Sequence, residues 1–297
     1  MLLATTPFAS AATGDCAAMD ADGPRWFAAQ LDAVQKTYQA GNSREAYEQL
    51  WNAMMRVPRR ADVSLDARCV GPELWRRTYQ LRRAITATLG KQSENVGRLG
   101  GSQGALDWYV LGDNRDEARR VITKLTPTAD GTGWIIGRLQ SELGTLDYEL
   151  QSGFELLPEE REAQAFWQRG LDGTIGHARR QGQKLLAQEE KILSRDATAK
   201  ELELEDAQES TRSLVAQFYG DEALAEKNEA QRDINRAKVS LRVLEDAQDW
   251  FGAVADADAE PARTRALTRG DALMARAADS SEGLEARDAL YEAADAC

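Results

Sequence analysis

No proline interrupts the 102 residues between Pro158 and Pro261, and Glu, Gln, Ala, Arg and Leu dominate the stretch. These are strong helix formers, and the one residue that most effectively breaks helices is missing, so long helices are the main option open to it. Pro158, followed by Glu159, Glu160 and Glu162, marks a helix start with carboxylates at the positive end of the dipole. Thr198-x-x-Glu201 has capping-box spacing, and Gly220-Asp221 reads as a C-terminal glycine followed by a new N-cap. Three helices are therefore predicted, near 159–194, 198–219 and 221–255. The last would be about 52 Å long at 1.5 Å per residue. Its apolar positions Leu224, Ile234, Val239, Leu241, Leu244 and Trp250 are too irregular for a heptad seam. An antiparallel bundle fits them better than a free coiled coil. Forty-eight alanines and an aromatic content of 7% extend the helical preference to the whole chain, and the expected fold class is all-α.

The N-terminal part is organised in shorter units. Pro24 opens a segment whose Phe27, Leu31, Val34 and Tyr38 share one helix face, and Gly41 stops it. Asn42 with Glu45 has capping-box spacing, Ala46, Leu50, Ala53 and Met54 point inward, and Pro58 ends the second helix. Asn114, Glu117, Ala118, Ile122, Leu125 and Pro127 echo this pattern 118 − 46 = 72 residues later, and Glu285, Ala286, Leu290 and Ala293 echo it again. Gly41, Ala46, Leu50, Ala53 and Pro58 fall at the spacings of the second half of a tetratricopeptide repeat, which the segment resembles. Val34 departs from the pattern, standing where the close helix contact takes Gly or Ala. The resemblance covers about a third of the chain and implies stacked helical hairpins, packed here with the long-helix bundle. A stack of the same physics without common descent is the other reading.

Between residues 90 and 153 the pattern weakens. Gly97, Gly100, Gly101 and Gly104 read as a loop, and Trp134-Ile135-Ile136 as a short strand or part of a short helix. A boundary is expected at Gly153–Pro158, separating a hairpin region (13–153) from a long-helix region (154–297).

Ala9-Ser10-Ala11 after an apolar stretch fits a secretory cleavage site, with 1–12 as the remnant of the signal, although no basic residue precedes it. A simple alanine-rich start is the alternative. Cys16, Cys69 and Cys297 contain no C-x-x-C pair. In an oxidising compartment Cys16 pairs with Cys69 around one hairpin, or with Cys297 at the chain end. In a cytoplasmic protein all three would be inert thiols.

The chemical inventory is sparse. His177 is the only histidine, which removes two-histidine metal sites and leaves a histidine-based triad hanging on one residue. The run from Gly97 to Gly104 is followed by Ala105 and Leu106, so it lacks the Lys and hydroxyl of a phosphate-binding loop. Glu201, Glu203, Glu205, Asp206 and Glu209 read as one solvated helix face. Glu209-Ser210 matches one marker of helical lytic transglycosylases, but their glycine-rich and aromatic motifs are absent. No catalytic, cofactor-binding or metal-binding residue is assigned. The seven tryptophans are spaced as core anchors, with Trp108-Tyr109, beside the glycine run, the least core-like pair and the candidate binding surface.

The net charge of −12 speaks against nucleic acid, whose phosphates require Lys and Arg, and no apolar run is long enough to span a membrane. The expectation is an exported, non-enzymatic module that binds another, basic protein through an acidic helical surface. A narrower form is an immunity or inhibitor protein that neutralises a toxic secreted effector. A helical enzyme or apolar-ligand carrier with a dispersed site is the third reading.

Overall fold

Prolines punctuate the helices. Pro24 and Pro72 occupy first-turn positions of α1 (Gly23–Gln39) and α3 (Pro72–Glu94), where a missing N–H costs nothing. Pro58 and Pro127 follow the ends of α2 (Ser43–Met55) and α5 (Arg115–Leu125), and Pro158 opens α7 (Pro158–Leu193). The remaining helices are α4 (Leu99–Leu111), α6 (Ala129–Gln151), α8 (Glu222–Gly252) and α9 (Asp256–Asp279). The computed structural model describes residues 16–60, 65–96, 99–193 and 222–279. Among them the protein is all-α. Single 3-10 turns stand at Cys16–Ala18 and Ala67–Val70, and one antiparallel backbone bridge joins Met19 to Arg59.

The chain divides into two compact units between Thr174 and Ile175, inside α7, rather than at the Gly153–Pro158 break. That break is nonetheless a true turn, with Gly153 at φ +83°. In the first unit each of α1 to α5 packs on the next, and α1 also meets α3 and α4 meets α6. The predicted inward faces are buried: Phe27, Leu31 and Val34 on α1, and Ala46, Leu50 and Ala53 on α2, with Tyr38 and Met54 at the margin. Each large side chain among them contributes about 1.5–3 kcal/mol on burial. Ala118, Val121 and Leu125 do the same for α5.

The turn between α1 and α2 recurs between α4 and α5, at the 72-residue offset seen in the sequence. Gly41 N–H donates to Tyr38 O (2.9 Å) and Asn42 N–H to Thr37 O (3.2 Å); Asp113 N–H donates to Val110 O (3.1 Å) and Asn114 N–H to Tyr109 O (2.8 Å). This is the Schellman pattern, and it also ends α6, where Gly153 and Phe154 donate to Leu150 and Glu149. Asn42 stands at the N-cap of α2, but its side chain makes no capping bond, so the expected capping box is not formed.

Two local expectations are corrected. Gly100, Gly101 and Gly104 lie within helix α4, not a loop; Trp134-Ile135-Ile136 is helical, as one of its two readings had it, but within the 23-residue α6 and not a short helix. The glycines serve close packing: a Cβ at Gly101 would stand 2.8 Å from Ser93 O, and one at Gly90 of α3 would strike the Tyr109 ring of α4. Burial gained at this approach outweighs the roughly 1 kcal/mol per residue by which glycine disfavours a helix.

In the second unit α8 runs antiparallel to α7, with Gly182 against the ring of Phe251 and Ser240 donating to Glu189 (2.9 Å). The turn Ala253–Ala255 leads to α9, which packs on α8 through Ala247, Phe251, Ala259 and Ala262. The observed helices, 158–193 and 222–252, match two of the three expected. The expected 198–219 helix, the third repeat echo and Cys297 lie outside the described residues. Pro261 sits inside α9.

Candidate functional site

Trp108 and Tyr109 are adjacent on α4, about 100° apart around the helix, and their fates differ. Tyr109 is fully buried, with its hydroxyl donating to Glu94 (2.6 Å). Burial and the negative charge of Glu94 push the phenol above its ordinary range. It is therefore a core residue, and the binding surface expected at the pair reduces to Trp108.

Trp108 is half-buried and meets Tyr47 of α2 edge to face, with ring centroids 4.9 Å apart and planes at 83°. The Arg44 guanidinium stands 5.6 Å from the Trp108 centroid. Both contacts follow from the α2 sequence, because Arg44, Tyr47, Trp51 and Met55 are spaced by 3, 4 and 4 residues and form one stripe. That stripe borders the buried row of Ala46, Leu50 and Ala53, and its outer members emerge into solvent. Trp51 is 51% exposed and Met55 62% exposed.

On the other side of Trp108, Asp107 reaches α6. It accepts a hydrogen bond from Trp134 Nε1 (3.2 Å) and stands 3.7 Å from Arg138 Nε, while Arg138 also donates to Glu142 (3.1 Å). Burial raises the Asp107 carboxyl above its usual range, opposed by Arg138 and the Trp134 hydrogen bond. Burial also raises the Tyr47 phenol, against the lowering effect of Arg82, Arg138 and Arg44 and with Glu142 adding to the rise. Trp134 keeps 43% of its surface exposed. Thus α2 and α4 meet through Tyr47 and Trp108, α4 and α6 through Asp107 and Trp134, and Trp51 and Met55 continue the exposed α2 stripe beyond Tyr47.

Two of these tryptophans, Trp51 and Trp134, were expected as core anchors and are not. Trp75 and Trp167 do fill that role, at 4% and 1% exposure. The sequence signal for Tyr47 and Trp51 was their placement one position beside the Ala46–Leu50–Ala53 row, but no sequence pattern joins them to Trp134. His177 meets the ring of Trp250 edge to face, with centroids 5.5 Å apart. The acidic run from Glu201 to Glu209 lies outside the described residues. Among the described residues no three His, Cys, Asp or Glu side chains are grouped to hold a metal ion, and no helix is long and apolar enough to cross a membrane.

Fold and site together define an all-α protein with an exposed aromatic and arginine-bearing surface on alternate helices. No family model, curated protein or solved structure matches the chain.

Proposed function

We propose that this chain is a protein-binding module that holds a basic partner protein on the face made by α2, α4 and α6. The observation that carries the reading is the exposure of Trp51, Met55 and Trp134 around the Tyr47–Trp108 contact. Trp, Tyr and Arg are the residues that most often dominate binding energy at protein interfaces, because they bury large area and retain a polar handle. Several are already oriented here by Asp107, Glu142 and one another, which lowers the entropy lost on association. The net charge of −12 steers partners of opposite sign and repels acidic ones. Support for helical-hairpin stacking comes from the turn repeated at Gly41-Asn42 and Asp113-Asn114. Action in an oxidising compartment is supported by the Cys16–Cys69 disulfide.

The test compares the wild type with a Trp51→Ala/Trp134→Ala double variant. Both should show the same helical circular dichroism, since the altered side chains are exposed. A basic protein retained by the wild type from envelope extract should bind the variant at least about 10-fold more weakly, equivalent to roughly 1.4 kcal/mol. Its association with the wild type should slow as salt rises. Equal affinity for wild type and double variant overturns the assignment of this face.

A further inference from the structure

The Ala67–Val70 turn is one turn of 3-10 helix, yet it supplies a buried arginine to the junction of three long helices. Arg68 gives both terminal nitrogens to Glu160 of α7, at 3.0 Å each. The same carboxylate accepts Trp75 Nε1–H of α3 (3.0 Å) and the Leu157 backbone N–H (2.8 Å). Arg68 Nε pairs with Glu149 of α6, and its guanidinium lies 4.5 Å from the Trp75 ring centroid. Glu160 is 1% exposed, so its charge depends on these partners. A buried carboxylate that loses its cation keeps the whole desolvation penalty.

Ala67 and Val70 pack into the core on either side of Arg68, but the turn's own hydrogen bonds are few. The turn has the Asp66 side chain capping Arg68 N–H (2.8 Å), Cys69 N–H donating to Asp66 O (3.1 Å) and Gly71 N–H donating to Arg68 O (3.1 Å). A 3-10 turn is weak on its own. The next residue, Cys69, is bonded to Cys16 with the Cα atoms 5.2 Å apart. Cys16 is itself anchored, because Asp20 N–H donates to Pro58 O (3.0 Å) and Arg60 N–H to Ala18 O (2.7 Å), beyond the end of α2. The bridge thus ties the turn carrying Arg68 to an independently fastened segment. Both cysteines are half-buried rather than sealed in the core.

We propose that the Cys16–Cys69 bridge is a redox latch on the α6–α7 connection: its reduction frees the Ala67–Val70 turn, withdraws Arg68 from Glu160 and Glu149, and opens residues 152–157. The reductant is a dithiol. Its thiolate attacks one cystine sulfur and displaces the other as a thiolate, which takes up a proton. Its second thiol then resolves the mixed disulfide. Cys16 and Cys69 end as two thiols, having gained two electrons and two protons, and the reductant ends as a disulfide. Glu160 is then left with the Trp75 Nε1–H and Leu157 N–H donors but no cation, and it and Glu149 are hydrated by the water that enters as the connection opens. This inference is independent of the proposed binding face.

Hydrogen exchange on the full chain tests it, with and without a dithiol reductant. In the reduced protein the Leu157 amide and the Trp75 indole N–H should exchange at least about 10-fold faster than in the oxidised protein, as expected for local opening. The Thr132 amide, bonded to Thr128 O (3.0 Å) at the start of α6, the end of that helix away from Glu149, should change less than about 2-fold. A Cys16→Ser variant should reproduce the pattern without reductant. Unchanged exchange at Leu157 and Trp75 overturns the proposal, and so does equal acceleration at Thr132, which would mean global loosening and no latch.

Discussion

Gly41 and Asp113 occupy the same point of two equivalent turns, 113 − 41 = 72 residues apart, with φ of +89° and +54°. Glycine takes that conformation freely, whereas an L side chain gives up about 1 kcal/mol or more. The offset for Asp113 is its buried carboxylate. It accepts the Tyr79 hydroxyl and both Nε (2.7 Å) and Nη2 (2.8 Å) of Arg115. Arg115 also donates to Glu159 O (2.9 Å), linking the turn to α7.

Substitution should therefore weaken the two turns by different amounts and for different reasons. Asp113→Gly relieves backbone strain but strands the Tyr79 hydroxyl and the Arg115 fork, for a net loss of about 2 kcal/mol. Asp113→Ala should lose about 1 kcal/mol more, because it keeps the strain. Gly41→Ala should cost only the backbone term, about 1 kcal/mol, since nothing lies within 4 Å of an added Cβ. Urea denaturation of the three variants checks the order. A stabilised Asp113→Gly would show that the carboxylate contributes nothing.

Glycines within the helices should divide sharply. At Gly90 an added Cβ meets the fully buried Tyr109 ring, and Gly90→Ala should destabilise by about 1–3 kcal/mol through overpacking. At Gly137 and Gly144 of α6 there is open space, so alanine there should stabilise by about 0.5–1 kcal/mol. Denaturation midpoints of the variants decide it, and a neutral Gly90→Ala would mean that α3 and α4 can separate without loss.

Glu149 sets a pH dependence near neutrality. Burial pushes its carboxyl up to about 7, against the attraction of Arg68 and with the charges of Asp66 and Glu160 adding to the rise. In the unfolded chain it titrates near about 4.3. Between these values the folded protein holds more protons than the unfolded one, so stability falls as pH rises through the window and levels off above it. Glu149→Gln should flatten that slope while leaving the Arg68–Glu160 pair in place. Stability curves from pH 4 to 9 provide the comparison, and an identical slope in the variant would assign it to another group.

Glu94 acts at the acid end with the opposite sign. Hydrogen bonds from Arg120 outweigh burial and, with the Tyr109 hydroxyl and Lys124, hold its carboxyl down to about 2. Its stabilisation is present above the ordinary carboxylate range and is lost as pH falls toward 2. Glu94→Gln should lower stability at pH 7 and make acid unfolding less steep below pH 4.5. Acid titration followed by circular dichroism measures this, and an unchanged acid limb would remove Glu94 from its causes.

Helix positions were largely legible in the sequence because their causes are local. Proline placement, the 3,4 spacing of Phe27, Leu31 and Val34, and the glycine stop at Gly41 are properties of short segments, and α1, α2 and the start of α7 follow from them. The Cys16–Cys69 pairing was legible to the extent that one hairpin brings the chain back on itself. The glycine-rich α4 was not, because its helical state rests on contacts with α3 that no local propensity contains. Nor was the division of Trp108 from Tyr109, since a one-residue step turns a side chain by about 100° and the packing of α4 on α3, with the Tyr109 ring against Gly90, puts Tyr109 in the core. The face of Trp51, Trp108 and Trp134 belongs to the same class: its members come from three helices, and a sequence pattern of period 3.6 describes one helix at a time. Local chemistry determined where α1, α2, α7 and α8 begin and end. Burial, which depends on what each helix meets, decided which side chains were left to face a partner.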